Sequence, residues 1–276
     1  MTQKKRRLFC ELHPVCYKIS LQKEIGKRYL KDFLSDEKFA KEKQETLLPN
    51  VVAQCSSNLI KRAPGVELRL QENKAVNINL SCKQINKIII HPGEIFSFWR
   101  TVGKPTRRKG YKDGRVIIKN KLIPGLGGGL CNLANTIHRM ILNSPLTVTE
   151  IHHHSDALAP DEGKRVPFSA GTSISYNYID FRFKNTTDQN FQLMVWCEGE
   201  KLYGELRSEK EIPYAYRLIE ENHHFHKEDE KYFRVSKIYR EVIDKSNDEV
   251  IAKELIWDNH SEVMFDYDLI PKDLIR

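Results

Sequence analysis

Hydrophobic residues recur at helical spacing in the middle of the chain, directly after a glycine-rich turn. The apolar positions lie three or four residues apart, at Leu130, Leu133, Ala134, Ile137, Ile141 and Leu142. This spacing predicts an amphipathic helix that ends at residues 143–145, where Asn, Ser and Pro follow one another. The three glycines at 127–129 predict a tight turn before it, because glycine adopts left-handed and crowded backbone conformations that other residues avoid.

Helical spacing also marks the start of the chain. Residues 20–48 carry apolar side chains such as Ile25 and Phe33 on one side and many charges on the other. This pattern predicts one or two amphipathic helices. We expect the break near Ser35 or before Pro49, since both residue types are common at helix ends.

A further helix is expected from residue 73, with Val76, Leu80 and Ile85 facing inward. It gives way to a strand at residues 88–90, where three consecutive isoleucines favour extended backbone. The change of element follows from the change in residue type along the segment.

Apolar residues alternate with polar ones over much of the remaining chain, which predicts β-strands. The expected strands are residues 95–99, 115–119, 122–123, 147–151, 178–184, 191–197, 202–206, 214–219, 232–242 and 250–256. In residues 178–184 the apolar Phe181 and Phe183 alternate with Asp180 and Arg182. The two charged residues are therefore expected on the polar face of a strand.

Together these patterns predict an α+β fold. A helical N-terminal part is expected over residues 1–72 and an α+β domain over residues 73–276. In that domain the central helix, which carries Cys131, packs on a mostly antiparallel sheet, and C-terminal β-hairpins extend the sheet. We expect one continuous globular unit, because a chain of 276 residues can bury a single large core.

The charge balance is basic: 45 lysines and arginines against 37 aspartates and glutamates give a net charge of +8. The cations are interspersed with acidic residues, whereas a specific nucleic-acid interface concentrates them in a stripe. We therefore expect weak peripheral contact with anionic lipid headgroups and no specific nucleic-acid partner. No apolar leader follows the basic start and no motif indicates a cofactor, so a cytoplasmic protein without a cofactor is expected.

Six cysteines are scattered along the chain without a C-x-x-C pair, which argues against a zinc ribbon or a disulfide framework. Reduced thiols are expected. Cys131 lies in the first turn of the predicted central helix, where unpaired N–H groups and the helix dipole favour a thiolate. It is therefore a candidate nucleophile, and the alternative interpretation is a small buried hydrophobic residue.

Three histidines follow the predicted strand at 147–151. Alternate side chains of a strand share a face, so His152 and His154 point one way and His153 the other. One of the first two could face Cys131 and act as its base. The residues expected to approach the substrate or hold an oxyanion are Gly127, Gly128, Gly129, Asn132 and His152.

Several of these segments occur in an order that resembles the VanW family. They are HPGEIFSFW, VG, GYKDG, GGGLCN, the histidines at 152 and 154, and YIDFRFKNTTDQ. The resemblance extends from about Val76 to Arg207, and the overall length is similar to that of short VanW proteins without a leader. Three positions depart from the family pattern: Asn132 stands where Gln is usual, Ile151 where Arg is usual, and residues 171–173 where Asp-Ala-Thr is usual.

The resemblance implies an association with glycopeptide (vancomycin) resistance and with peptidoglycan or its precursors. Cys131, His154 and Asp180 match the family, and their chain order resembles that of papain-like and transglutaminase-like sites. The first hypothesis is therefore a thiol enzyme for acyl transfer or amide hydrolysis on a small molecule or peptide derived from cell-wall precursors. Cys131 would attack a carbonyl, His154 would move the proton, and Asp180 would hold the imidazole.

The second hypothesis is a binding module without catalysis. The glycine turn, Ser97, Trp99 and the basic loop Arg107–Lys109 would recognise a cell-wall peptide or another anionic partner, because guanidinium and ammonium groups grip carboxylates and phosphates. The missing family-typical Arg and Asp favour this interpretation.

The third hypothesis, a metal site, is weaker. Cys131, His152 and His154 would need a fourth ligand such as His138, which lies two helical turns or about 10.5 Å further along the helix. The histidines at 223, 224 and 226 are expected in a polar turn, where solvation is the simpler interpretation. No metal is therefore expected.

Overall fold

The protein is described here by a computed structural model, which covers residues 8–62, 67–118, 121–153, 156–157 and 171–276. The predicted base His154 lies outside these ranges. The division of the chain at residue 72 stays a prediction.

Five α-helices lie within the described ranges. They are α1 (Phe9–Leu12), α2 (Pro14–Leu34), α3 (Leu68–Ile85), α4 (Phe98–Val102) and α5 (Leu130–Leu142). The long α2 ends at Ser35, where a break was expected. The central α5 starts directly after the glycine turn and ends at Asn143, as its spacing predicted. None of the described helices has the length and apolar composition needed to cross a membrane.

Thirteen strands occupy the same part of the chain. They are β1 (Asn50–Asn58), β2 (Ile88–Ile90), β3 (Ile95–Ser97), β4 (Asp113–Ile118), β5 (Lys121–Leu126), β6 (Thr147–Glu150), β7 (Asp156–Ala157), β8 (Arg182–Lys184), β9 (Phe191–Glu198), β10 (Lys201–Ser208), β11 (Tyr214–Glu228), β12 (Lys231–Asp244) and β13 (Glu249–Val263). With the helices they confirm the α+β class.

The strands form four sheets. The core sheet has the order β1-β10-β9-β2 and is antiparallel throughout. A three-stranded sheet has the order β3-β8-β6, and β4 and β5 form a separate hairpin. The remaining sheet has the order β11-β12-β13-β7, in which β7 pairs with β13 in parallel.

The main hydrophobic core lies between the core sheet and the helices α3 and α5. Leu133 and Ile137 of α5 and Leu193 and Val195 of β9 are fully buried in it. Because burial of each large aliphatic side chain stabilises the fold by about 1.5–3 kcal/mol, this layer fixes the position of α5. The prediction that the Cys131 helix packs on a mostly antiparallel sheet is thus confirmed.

The inner face of α3 differs from the predicted one. Ile78, Cys82 and Ile85 are buried, whereas Val76 and Leu80 are only half-buried. The helix starts five residues before the expected position, at Leu68. Its buried stripe follows the i, i+4, i+7 spacing of a single helical face.

The C-terminal hairpins form a sheet of their own, so the expectation that they extend the core sheet is wrong. A small cluster joins them to the central helix, where Ile238 of β12 packs with Leu142 of α5. Residues 223–226 lie inside β11 and not in a turn. The strand continues there because Phe225 is buried between polar neighbours, and a bulge with Asn222 at φ 55° interrupts the pairing just before it.

Two shorter segments also differ from expectation. The aromatic strand expected at residues 95–99 ends at Ser97, whose hydroxyl accepts a hydrogen bond from the Arg100 N–H and caps α4. The strand expected at residues 178–184 is reduced to β8. Asp180 lies just before β8 and Arg182 begins it, and both are buried rather than solvated.

Candidate functional site

The glycine turn is fixed by close backbone contacts. Gly127 and Gly129 have φ of 74° and 94°, the left-handed region that favours glycine. Gly128 lies against Gly114 of β4: a Cβ at position 128 would be 2.3 Å from the Gly114 carbonyl carbon. The Asn77 amide donates to the Gly128 carbonyl at 3.0 Å. The predicted tight turn is therefore confirmed, and it positions the start of α5.

Lys74 of α3 covers this turn and was not identified from the sequence. A Cβ at Gly129 would lie 2.1 Å from the Lys74 Cγ, so glycine leaves room for the lysine stem. Burial, together with the charges of Arg115 and Lys61, lowers the Lys74 pKa to about 8. A lysine with a lowered pKa thus lies beside the first turn of the central helix.

Cys131 is the second residue of α5. The residue is half-buried, but its sulfur lies in an enclosed environment. The Sγ lies 3.9 Å from the Ile174 carbonyl oxygen, to which the thiol donates. Burial raises the Cys131 pKa, and hydrogen bonds from the backbone offset this effect only in part. The structure thus surrounds Cys131 with conditions that favour a neutral thiol near pH 7.

Asn132 and Asn135 hold α5 to its neighbours. The Asn132 Oδ1 accepts from the Ser57 hydroxyl of β1 at 3.0 Å, and its amide donates to the Asn58 carbonyl at 3.3 Å. The Asn135 Oδ1 accepts from the Thr172 hydroxyl at 3.1 Å. Asn132, the expected oxyanion or substrate residue, thus carries contacts that link the helix to the core sheet.

His138 completes a polar stripe on α5 with Cys131 and Asn135, since positions i, i+4 and i+7 share a helical face. Its Nδ1 lies 3.3 Å from the Thr172 hydroxyl. Burial, with the nearby His153, lowers the His138 pKa to about 3. His138 is therefore a neutral imidazole at physiological pH. The three side chains of this stripe all contact the segment 171–174.

The two described histidines after β6 differ in their surroundings, and the predicted shared face of His152 and His154 stays a prediction. His152 is exposed, and its Nε2 lies 3.1 Å from a Glu150 carboxylate oxygen. His153 stacks on Trp257 with ring centroids 4.1 Å apart. Its Nδ1 is 3.2 Å from the Gly171 carbonyl oxygen. The assignment of His152 or His154 as a base stays a prediction.

The Asp180 carboxylate is fully buried and accepts hydrogen bonds from several donors. Its Oδ2 accepts from the Ser97 hydroxyl at 2.6 Å and from the Arg182 Nε at 2.8 Å. Its Oδ1 accepts from the backbone N–H groups of Trp99 and Phe181 at 3.1 and 2.9 Å. These contacts hold α4 against β8. The proposed role of Asp180 in orienting His154 stays a prediction.

Arg182 connects Asp180 to the N-terminal helix. Its two terminal nitrogens each donate to one carboxylate oxygen of Asp32 in α2, both at 2.7 Å. Burial alone would lower the Arg182 pKa, but hydrogen bonds to Asp32 and Asp180 outweigh it and raise the pKa. The guanidinium is thus a permanently charged bridge between two buried carboxylates.

A second ion pair fastens α2 one turn earlier. The Arg28 guanidinium contacts both oxygens of Glu150, one of them at 2.6 Å. Burial opposes ionisation of Glu150, but the hydrogen bonds and charge of Arg28 lower its pKa below the ordinary value. Glu150 also accepts from the Asp180 backbone N–H at 3.1 Å. The two pairs connect α2 to the sheet β3-β8-β6.

A cleft of about 540 Å³ opens beside this network. Its lining residues are Tyr29, Asp32, Phe33, Glu37, Phe39, Trp99, Arg100 and Asn177. Most are aromatic or bear a hydrogen-bonding group, a combination common in ligand sites. Of the candidate binding residues named from the sequence, Trp99 lies in the cleft, whereas Ser97 is buried and donates to Asp180.

Two hydrogen-bond donors that line the cleft indicate that it binds a ligand with acceptor groups. The Arg100 guanidinium stacks on the Phe39 ring at 4.1 Å and remains 42% exposed, while one nitrogen lies 3.5 Å from Asp32. The Asn177 side chain is buried, and its Nδ2 has no hydrogen-bond partner in the described part of the chain. An unsatisfied buried donor costs roughly 1–3 kcal/mol, which a ligand acceptor would recover.

The metal hypothesis at Cys131 includes His154, which lies outside the described residues, and therefore stays a hypothesis. Among the described residues, no three His, Cys, Asp or Glu side chains are grouped closely enough to hold a metal ion. The histidines at 223–226 lie along β11, where successive side chains point to opposite faces.

Comparison with known proteins agrees with the motifs. The family model described as VanW like protein matches residues 73–207. Over 221 residues, 80% of each chain, the protein is 28% identical to the vancomycin B-type resistance protein VanW of Enterococcus faecalis. Over 118 residues it is 33% identical to the uncharacterized protein YoaR of Bacillus subtilis, covering 43% of this chain and 37% of that protein. No solved structure matches.

Residues 73–207 therefore form a VanW-like domain, as the motifs predicted. The matched range begins in α3 and ends in β10. It includes the glycine turn, Cys131 and the Asp180 network. The enterococcal relative is named for vancomycin resistance.

Proposed function

We propose that the protein is a binding module that recognises a carboxylate-bearing cell-wall peptide in the cleft beside Arg100. The observation that carries this proposal is that two donors line the same cleft: the exposed guanidinium of Arg100 and the buried Asn177 Nδ2, which has no hydrogen-bond partner among the described residues. The enterococcal relative is named for vancomycin resistance, and the resemblance of the motifs implies peptidoglycan or its precursors as the source of the ligand. We place this recognition on the cytoplasmic side, where the basic composition is compatible with anionic lipid.

The chemistry of the cleft suits a peptide end. Arg100 offers a planar fork of donors that matches a carboxylate, and Asn177 can donate to a neighbouring carbonyl. Phe33, Phe39 and Trp99 provide apolar walls for small side chains. The Asp32 carboxylate does not repel the ligand strongly, because Arg182 holds both of its oxygens.

The state of Cys131 supports binding over catalysis. A thiol nucleophile needs a lowered pKa or a base within reach. Here burial raises the Cys131 pKa, and the thiol donates to the Ile174 carbonyl. Asp180, which would orient the base, already accepts from Ser97, Trp99 and Arg182.

Peptide binding tests the proposal. A synthetic stem peptide with a free C-terminal carboxylate should bind in calorimetric titration, and its C-terminal amide should bind at least about tenfold more weakly, because a charge-assisted hydrogen bond contributes about 1.5–3 kcal/mol. Arg100→Gln should lose the preference for the free carboxylate. Arg107→Gln is the matched control, since Arg107 is exposed, pairs with Asp113 and does not line the cleft. Equal binding by wild type and Arg100→Gln would contradict the proposal.

The thiol enzyme remains the second candidate, and one observation favours it. Cys131 lies in the first turn of α5 directly after the glycine turn, and Gly129 at the N-cap has no side chain to accept from the N–H groups of that turn. Such groups could stabilise both a thiolate and an oxyanion.

Alkylation separates the two candidates. Because burial raises the Cys131 pKa, iodoacetamide at neutral pH should modify Cys131 no faster than Cys10 of α1, and its rate should rise only at alkaline pH. Peptide mapping by mass spectrometry measures both sites in one sample, so Cys10 serves as the internal control. Selective labelling of Cys131 at pH 7 would favour the enzyme, as would complete loss of cellular function in Cys131→Ser.

A further inference from the structure

The outer side of α2 is apolar although it faces solvent. Ile19, Leu30, Phe33 and Leu34 are 54%, 58%, 84% and 70% exposed. Residues 19, 30 and 34 are separated by about three turns and one turn, so they lie along a single face. Exposed apolar side chains that share a face indicate an interaction surface, whereas isolated ones are ordinary.

The inner side of α2 accounts for its attachment to the protein. Arg28 pairs with Glu150, and Asp32 pairs with Arg182 one turn later. These contacts fix which side of the helix faces outward. The apolar outer face is therefore presented by a rigidly oriented helix and not by a freely rotating segment.

Exposed lysines border this apolar face, Lys27 and Lys31 on one side and Lys18 on the other. Lys23 lies on the face itself, because the helical repeat places it between Leu30 and Leu34. Lys18, Lys23, Lys27 and Lys31 all point to solvent. The two acidic residues of α2 leave this charge largely in place, because Asp32 is buried against Arg182 and Glu24 neutralises only Lys27, at 2.9 Å. An apolar stripe with a lysine margin is typical of helices that lie in the interface of an anionic bilayer.

We propose that α2 docks flat on an anionic lipid bilayer, with Ile19, Leu30 and Leu34 entering the headgroup region and the flanking lysines contacting lipid phosphates. Charge complementarity favours an anionic bilayer over a second copy of this chain. Two α2 helices packed together would bring their lysines close to one another, and like charges repel. Each lysine near an anionic surface adds to binding and is screened by salt. The apolar side chains supply the part of the binding free energy that salt does not screen.

Sedimentation with lipid vesicles tests the docking. The wild-type chain should sediment with phosphatidylcholine vesicles that contain phosphatidylglycerol, and much less with phosphatidylcholine alone. The combined variant Ile19→Ser, Leu30→Ser, Leu34→Ser should reduce the partition coefficient by at least about tenfold, since three apolar side chains no longer leave water. None of these residues lines the cleft, so peptide binding should remain unchanged.

A matched control changes the same number of exposed apolar residues elsewhere. Val250→Ser, Ile251→Ser, Leu255→Ser on β13 alters side chains that are 48%, 53% and 52% exposed. This variant should sediment like the wild type. A further variant, Lys18→Gln, Lys23→Gln, Lys31→Gln, should lose the preference for anionic vesicles and the salt dependence. Circular dichroism and the unfolding midpoint confirm that each variant is folded.

Three results would overturn the proposal. The first is equal sedimentation of the wild type and the α2 serine variant. The second is equal binding to neutral and anionic vesicles. The third is a concentration-dependent dimer, seen by light scattering, that the α2 variant abolishes while vesicles bind neither protein. If the protein binds vesicles but no peptide, the proposed peptide recognition in the cleft is refuted and the docking of α2 on lipid is not.

Discussion

Replacement of Arg182 by methionine is expected to lower the free energy of unfolding by about 3–5 kcal/mol, because it leaves buried carboxylates without their cation. Arg182 donates to both oxygens of Asp32 and to Asp180. The Asp180 carboxylate is fully buried and the Asp32 side chain is 3% exposed. Methionine keeps much of the side-chain volume, so the loss comes mainly from the unpaired charges. Urea denaturation followed by circular dichroism measures it.

Arg62→Gln is the control for this prediction. Arg62 pairs with Glu200 through two hydrogen bonds, but its side chain is 63% exposed. Water replaces the lost partner at such a site, so little change in the unfolding midpoint is expected. If both substitutions shifted the midpoint equally, the buried network would have no special structural role.

The same network supports the proposed function. Asp32 lines the cleft, where both of its oxygens accept from Arg182 and one lies 3.5 Å from Arg100, so loss of Arg182 would leave Arg100 as the main counter-ion of Asp32. Arg182→Met should therefore weaken peptide binding as well as stability. Arg100→Gln, by contrast, should weaken binding while the fold remains stable, because Arg100 is substantially exposed.

Elements with long, regular patterns could be predicted from the sequence. The limits of α5 follow from its apolar spacing and from the glycine turn before it. The strand β10 follows from alternation after the turn at Gly199, and β9 follows from the apolar run that returns before that turn. The strand β1 was missed, since only Ala53 among its residues is buried and its sequence is rich in polar side chains.

The surroundings of the site could not be predicted, because they depend on contacts between distant segments. Arg182 and Asp32 are 150 residues apart in the chain, as the hydrogen bonds between them record. The alternation around Asp180 predicted a polar face, but that face is covered by α2 and α4. Local periodicity shows which side chains share a face and not what packs against it. The thiol of Cys131 was placed correctly on the helix, but the carbonyl of Ile174 that receives its hydrogen bond comes from a distant loop.

Two glycine-to-alanine substitutions are expected to have opposite effects on stability. In Gly128→Ala the new Cβ would lie 2.4 Å from the Gly114 carbonyl oxygen and 2.8 Å from the Arg115 nitrogen. These are backbone atoms of β4, so the strand and the glycine turn must move apart. Overpacking of this kind costs about 1–3 kcal/mol and more where the backbone cannot shift.

Gly26→Ala provides the matched comparison. Gly26 lies inside α2, and a Cβ there meets no atom within 4 Å. Alanine should stabilise the protein by about 0.5–1 kcal/mol, because glycine loses more backbone entropy in a helix. Thermal unfolding of the two variants should give midpoints on either side of the wild type. A midpoint for Gly128→Ala at or above that of the wild type would mean that the turn does not press against β4, and the fixed start of α5 would then need another cause.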